Sequence, residues 1–156
     1  MRHVVVAIVA LLLLTACDLA GPADRGEPGE AAVVFQRSGG IGGESSEWEI
    51  FPSGRVIQLI GPPEQEQTAV EWEVAAEEVQ ELVDNLAALG FFDLTGDYMP
   101  DEPCPDCFTY RLTVRSDGRT NTIETADAAP SVPEAAWESF RLVEIFINES
   151  RPQVET

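Results

Sequence analysis

The segment from Phe108 to Arg115 constrains the fold most, because apolar and polar side chains alternate along it without interruption. This period of two is typical of a β-strand that buries one face and exposes the other. Asp117-Gly118 follows, and this dipeptide favours a tight hairpin turn. We therefore expect residues 120–125 to pair back on the strand in antiparallel register.

The first half of the chain contains further strand-like runs separated by glycine and proline. These runs are residues 33–37, residues 47–51, residues 55–60 and, with a weaker pattern, residues 68–73. Pro52-Ser53-Gly54 separates the second run from the third, which predicts a hairpin over residues 47–60.

Two segments have helical periodicity. Apolar side chains recur at three- and four-residue spacing from Val79 to Leu89, and Gly90 follows as a stop signal, which predicts a helix from Ala75 to Leu89. A second helix is predicted from Pro133 to about Asn148, with Ser131 as its capping residue. Apolar residues occupy much of its circumference, so we expect it to be well buried.

These elements predict the α+β class, because hairpins alternate with single helices. We expect a single domain over residues 31–150, with an antiparallel sheet of about four to five strands and two helices packed on one face. The other face would carry Arg111, Arg115, several threonines and Glu47 or Glu49. Residues 151–156 are expected to form a tail.

The N-terminus has the pattern of a bacterial lipoprotein signal peptide. Met1-Arg2-His3 is positively charged, and residues 4–14 are an unbroken apolar run that is too short to span a bilayer. Leu14-Thr15-Ala16-Cys17 then resembles the lipobox. The resemblance implies that residues 1–16 are removed and that the Cys17 thiol receives a diacylglyceryl group. An ordinary secretory signal with a coincidental cysteine is the alternative.

Lipidation at Cys17 would anchor the protein to the cell membrane or envelope through acyl chains, facing outside the cytoplasm. Residues 17–30 are rich in glycine, proline and acids, which predicts a flexible acidic tether.

Charge and composition exclude several function classes. The chain has nine basic residues, all arginine, against 28 acids, which gives a formal net charge of -19 and disfavours nucleic acid as a partner. The single histidine is His3, so the processed chain would have neither histidine nor lysine. Catalytic triads, His-ligated zinc and Schiff-base chemistry are thereby excluded. We predict that the protein is not an enzyme and needs no cofactor; a hydrolase using carboxylates alone is the enzymatic alternative.

Cys104 and Cys107 form a Cys-X-X-Cys pair, which we interpret as a structural disulfide outside the cytoplasm. A thioredoxin-like redox pair is the alternative, but such pairs lie at helix N-termini, whereas Cys107 precedes a predicted strand. The nearby acids between Asp93 and Asp106 are interpreted as a solvated loop, with a calcium site as the alternative. We predict no metal site.

The most unusual segment is Arg37-Ser38-Gly39-Gly40-Ile41-Gly42-Gly43, in which four glycines flank one isoleucine. It is compatible with an ordinary hairpin loop or bulge, in which glycine supplies positive φ angles. It is also compatible with a loop whose backbone approaches a partner closely, so all seven residues are candidate partner-binding residues.

Several segments together resemble emfourin, a proteinaceous inhibitor of thermolysin-like metalloproteases. They are Val34 to Gly40, the helix end from Leu82 to Phe92, the strand from Phe108 to Val114, Thr122-Ile123-Glu124, and a final helix. The lipoprotein signal, the Cys104–Cys107 pair and the segment 44–73 depart from that pattern. The resemblance implies a tethered inhibitor whose 37–43 loop blocks a metalloprotease cleft while a nearby carboxylate approaches the zinc. The alternative is an envelope lipoprotein with a structural or interaction role and no protease target.

Overall fold

A computed structural model describes residues 29–152. The predicted signal peptide, Cys17, most of the tether and the last four residues of the tail lie outside this range. Within it the chain forms one seven-stranded sheet and two α-helices, which confirms the α+β class and a single sheet. None of the helices in this part of the chain is long and apolar enough to cross a membrane.

The strands and helices follow one another in a simple order. The strands are β1 (Val33–Gly39), β2 (Glu44–Ile50), β3 (Arg55–Ile60), β4 (Thr68–Glu73), β5 (Asp97–Tyr98), β6 (Phe108–Ser116) and β7 (Arg119–Ala126). The helices are α1 (Ala76–Ala88) and α2 (Glu134–Ser150), and a short 3₁₀ helix occupies Phe91–Asp93. Across the sheet the order is β4-β3-β2-β1-β6-β7-β5.

β1 lies in the middle of the sheet and aligns the side chains of both halves. Phe35 pairs with Trp48 of β2 on one side and with Leu112 of β6 on the other. Leu112 in turn pairs with Ile123 of β7. Because side chains alternate between faces along each strand, this register places an apolar row on one face.

Both helices cover that apolar face and form one core with it. The largest side chains that are fully buried are Phe35, Phe91, Phe140, Ile50, Leu86, Leu112 and Ile123. They come from strands, from both α-helices and from the 3₁₀ helix, and β5 alone adds no buried side chain to this cluster. The core lies between Ala32 and Ile147.

The opposite face of the sheet is open to solvent and mostly polar. Arg111 forms an ion pair with Glu124 across β6 and β7, with 2.6 Å between Nη2 and Oε2. Gln36 donates a hydrogen bond to Glu47, and the hydroxyls of Thr113 and Thr122 are 2.8 Å apart. The expected placement of arginines, threonines and glutamates on one solvated face therefore agrees with the register.

The sheet is larger than the predicted four to five strands, and it is mixed rather than purely antiparallel. β4 completes one edge by pairing with β3, through contacts such as Val56 with Trp72. At the other edge the two residues of β5 pair in parallel with β7. Two residues are too few to produce a periodic pattern, so this strand gave no signal in the sequence.

The first helix and its stop signal agree with prediction within a residue at each end. Gly90 has φ of +82°, the left-handed conformation that terminates a helix without strain in glycine. In α2 the predicted cap is wrong, because Pro133 and not Ser131 holds the N-cap position and no side chain caps the helix. The expectation that α2 is well buried is also too strong, since Trp137 is 37 % exposed and Ile145 is 43 % exposed.

Candidate functional site at the glycine-rich loop

The glycine-rich segment forms the turn that joins β1 to β2 at one end of the sheet. Residues 40–43 make the turn itself, and the Gly43 N–H donates to the Gly40 carbonyl at 3.0 Å. We call residues 40–43 the contact loop. Ile41 lies at its tip with 92 % of its surface exposed, the largest exposure of any large apolar side chain among residues 29–152. At the tip of the turn this apolar side chain is freely available for contact with a partner.

Gly39, just before the contact loop, and Gly40, its first residue, have no room for a side chain. Gly39 has φ of +115°, and a Cβ built on it would overlap the carbonyl oxygen of Cys107. Gly40 has φ of +70°, and a Cβ there would lie 2.7 Å from the Cζ of Phe108. Gly43 also has a positive φ, but open space surrounds it. The backbone is therefore packed against the start of β6 at Gly39 and Gly40, whereas a side chain at Gly43 would meet only open space.

The cysteine pair forms the support under these glycines. Cys104 and Cys107 lie at disulfide distance, with Cα atoms 5.3 Å apart. The Cys107 carbonyl accepts a hydrogen bond from the Gly40 N–H at 3.1 Å, and the Cys107 N–H donates to the Cys104 carbonyl. The pair closes a tight turn immediately before β6, not at a helix N-terminus. The helix dipole that activates a redox thiol is thus not available at this position.

Arg37 and Ser38, the first two candidate residues, point to opposite faces of the sheet. Arg37 pairs with Tyr110 on the helix-covered face, and its guanidinium carbon lies 3.9 Å from the centroid of the Phe108 ring. Its Nε is buried without a hydrogen-bond partner among residues 29–152. Ser38 is exposed on the open face. The seven candidate residues are therefore continuous in sequence but divide between two surfaces.

An aromatic cluster beside Arg37 was not predicted from the sequence. The Tyr110 ring packs edge-on against Trp137 and also contacts Phe140, with ring centroids 5.9 Å apart in both pairs. The only hint was Trp137, which lies one turn inside the predicted helix at a position that was expected to be buried. Because Trp137 is partly exposed, the end of the sheet presents an aromatic surface next to the contact loop.

Asp127 fixes the position of this cluster. Its two carboxylate oxygens accept the Tyr110 hydroxyl at 2.9 Å and the Phe108 N–H at 3.0 Å. Burial, followed by the hydrogen bond to Asp127, raises the pKa of Tyr110 to about 12, so the phenol stays protonated. Burial also raises the pKa of Glu144 above its usual value, and it outweighs the attraction of Arg37.

The structure adds little about the two other candidate sites, the acidic segment 93–106 and Cys17. Within residues 29–152 no group of three or more acids, cysteines or histidines is arranged to hold a metal ion, and this range includes the acidic segment 93–106. Cys17 lies outside the described residues. The described surface near the contact loop offers arginine, tyrosine and carboxylates, a set suited to contact with a partner.

The contact loop lies at the end of β1 that is farther from the tether. At the start of β1, Arg115 holds the entering chain through an ion pair with Glu30 at 2.7 Å and a hydrogen bond to the Ala31 carbonyl. β1 has seven residues, which separates the tether from the loop by about 20 Å.

Comparison with known proteins does not assign the chain to a family. Neither the protein-family models nor the curated proteins include a match to this sequence.

Proposed function

We propose that the protein is a membrane-anchored, extracytoplasmic lipoprotein that acts without catalysis, by presenting the contact loop to a protein partner. The observation that carries this proposal is the exposure of Ile41 on a loop held in place by Cys107 and Phe108. Burying one isoleucine side chain against a partner contributes about 2 kcal/mol. Because the loop is already ordered, little of that free energy is lost to ordering it on binding.

The surroundings of the loop supply the residue types that dominate protein interfaces. Arg37 stacks on Phe108, and Trp137 lies partly exposed against Tyr110. Tryptophan, tyrosine and arginine are the side chains most often found at energetic hot spots. A partner that covers Ile41 and also reaches Trp137 would bury an apolar centre with a polar rim.

The sharper form of the proposal is inhibition of a thermolysin-like metalloprotease, as the resemblance to emfourin implies. Glycines on both sides of Ile41 permit the backbone to enter a narrow cleft. Glu44 follows the loop directly and is exposed, so its carboxylate is the group suited to approach a catalytic zinc, which accepts oxygen ligands.

Anchoring at Cys17 fits this geometry. A tether of residues 17–30 spans about 20 Å on average if it behaves as a flexible coil. It would join the domain at the start of β1 and leave the contact loop pointing away from the bilayer. The loop would then meet proteins outside the membrane.

An inhibition assay tests the sharper form. Every core side chain lies between Ala32 and Ile147, so a chain that starts at residue 18 keeps every element of the described fold and avoids the lipid. Increasing amounts of this chain are added to thermolysin and to related proteases, and peptide hydrolysis is measured. We expect activity to fall, and Ile41→Ser to weaken inhibition by about tenfold through the lost apolar contact.

Ile145→Ser is the matched control, because Ile145 is another exposed isoleucine and lies on α2 beside α1, outside the contact loop. It should inhibit as the unsubstituted chain does. Full protease activity at large molar excess of the chain, for every thermolysin-like protease tried, would refute the inhibitor proposal. The alternative, an envelope lipoprotein with no protease target, would then be favoured. Cross-linking from the contact loop in the native membrane should in that case capture envelope components.

A further inference from the structure

The outer surface of the helix layer carries a groove that the contact loop does not explain. Two adjoining depressions of about 320 and 340 Å³ lie between α1 and α2. Glu78 shares the first with Ser150, and Leu89 shares the second with Glu138. The helices are therefore antiparallel, and the groove follows them for about 17 Å, the length of three helical turns.

The floor of the groove is apolar and partly exposed. Leu142 and Ile145 line both depressions, Phe146 lines the first and Leu89 the second. Ile145 is 43 % exposed, which contradicts the expectation that α2 is well buried, and Leu89 of the first apolar stripe is 37 % exposed. On α2 the apolar lining residues Leu142, Ile145 and Phe146 recur at three- and four-residue spacing, so they form a stripe along one side of the helix. An apolar groove of this kind accepts the apolar face of another helix.

The charge around the groove is uneven. Glu78, Glu81 and Glu149 line the first depression, with no arginine among its lining residues. In the second depression Glu138 is neutralised by Arg141, with 2.6 Å between Oε2 and Nη2. One end of the groove is thus strongly negative and the other is close to neutral.

This combination identifies one kind of occupant. We propose that the α1–α2 groove binds a short amphipathic helix of a partner protein, with apolar side chains along one face and lysine or arginine toward one end. A second copy of the chain does not fit, because it would bring the same carboxylates together on a protein of net charge -19. Residues 18–28 of the chain do not fit either, since they carry three acids against one arginine.

Peptide binding to the chain that starts at residue 18 tests the proposal. The probe is a fluorescein-labelled helical peptide of about 14 residues with leucine at every third or fourth position and lysines toward one end. Anisotropy should report saturable binding that weakens as salt rises, because part of the attraction is between exposed charges. A peptide with glutamate in place of lysine should not bind.

Variants of the groove separate specific docking from general attraction to an acidic protein. Glu81→Gln/Glu149→Gln should weaken binding by about fivefold at low salt, and Ile145→Ser should weaken it by about tenfold. Glu64→Gln/Glu66→Gln removes the same charge from the exposed segment between β3 and β4 and should change binding less than twofold.

If the two double variants lose the same amount of peptide affinity, the proposal is overturned. Unchanged peptide affinity in Ile145→Ser would overturn it as well. Self-association of the chain that Ile145→Ser abolishes would also overturn it in favour of a second copy. Ile41→Ser should leave peptide binding unchanged, so the proposal for this groove and the proposal for the contact loop can fail independently.

Discussion

Replacing Gly39 with alanine tests the packing of the contact loop most directly. At this position φ is +115°, and the new methyl group would overlap the carbonyl oxygen of Cys107, which is backbone and cannot rotate away. Either the chain tolerates a strained conformation or β1 separates from the start of β6. In the second case the hydrogen bond from Gly40 to Cys107, at 3.1 Å, is lost as well.

The expected loss of stability can be assembled from these parts. A non-glycine residue held in a sparsely populated conformation costs about 1–3 kcal/mol. A lost backbone hydrogen bond adds about 1 kcal/mol. We therefore expect Gly39→Ala to lower the free energy of unfolding by about 3 kcal/mol. Gly43→Ala is the control, because φ is +63° there but nothing lies within 4 Å of the new methyl group. It should cost only about 1 kcal/mol.

Urea denaturation followed by tryptophan fluorescence gives both values on the chain that starts at residue 18. A domain of this size has an unfolding free energy of about 5–15 kcal/mol, so both variants should remain folded in water. Gly39→Ala must be the less stable variant by about 2 kcal/mol. If the two variants are equally stable, Gly39 does not pack against Cys107 as described, and the loop is not held by β6.

Three further predictions concern the supports of the fold and the anchor. Cys104→Ser/Cys107→Ser should lower the free energy of unfolding by about 2 kcal/mol under oxidising conditions. The same loss should appear when the unsubstituted chain is reduced. If reduction leaves the free energy of unfolding unchanged, the disulfide is not structural. Burial in the folded state raises the pKa of Glu144, so the folded protein binds a proton at this carboxyl more tightly than the unfolded chain does. The stability that the protonated carboxyl contributes is therefore lost as pH rises. Glu144→Gln should thus stabilise the fold at pH 7 and lose this advantage below about pH 4, as measured by urea denaturation at the two pH values; an equal gain at both would contradict the raised pKa. Cys17→Ser should move the protein from the membrane pellet to the soluble fraction, and a substituted protein that stays in the pellet would refute lipid anchoring.

The sequence predicted the sheet well wherever side chains alternate. The strand at Phe108 and its turn at Asp117-Gly118 follow the prediction, and both turn residues have the positive φ that a primed turn requires. Prediction failed at β5, because a two-residue strand has no periodicity and depends on the position of β7. It failed again in α2, because apolar periodicity indicates which faces of a helix can be buried but not whether another element covers them.

The candidate site was also predicted only in part, because its packing depends on residues that are distant in the sequence. The glycines of the contact loop were visible as composition, but their tight packing depends on Cys107 and Phe108, about 70 residues later in the chain. The division of Arg37 and Ser38 between two faces follows from strand alternation and was predictable. The Tyr110–Trp137 surface was not, since only the tertiary packing of α2 on β6 brings these rings together.

Site-specific cross-linking at position 41 in the native membrane tests the central claim, that this protein works through contact at its loop. A photoreactive side chain replaces Ile41 in the full-length protein, and a matched probe replaces Glu64 in the exposed segment between β3 and β4. The account predicts a discrete cross-linked protein from position 41, lost in the Gly39→Ala background and absent from position 64. Absence of any adduct at position 41, or the same adducts from both positions, would contradict it.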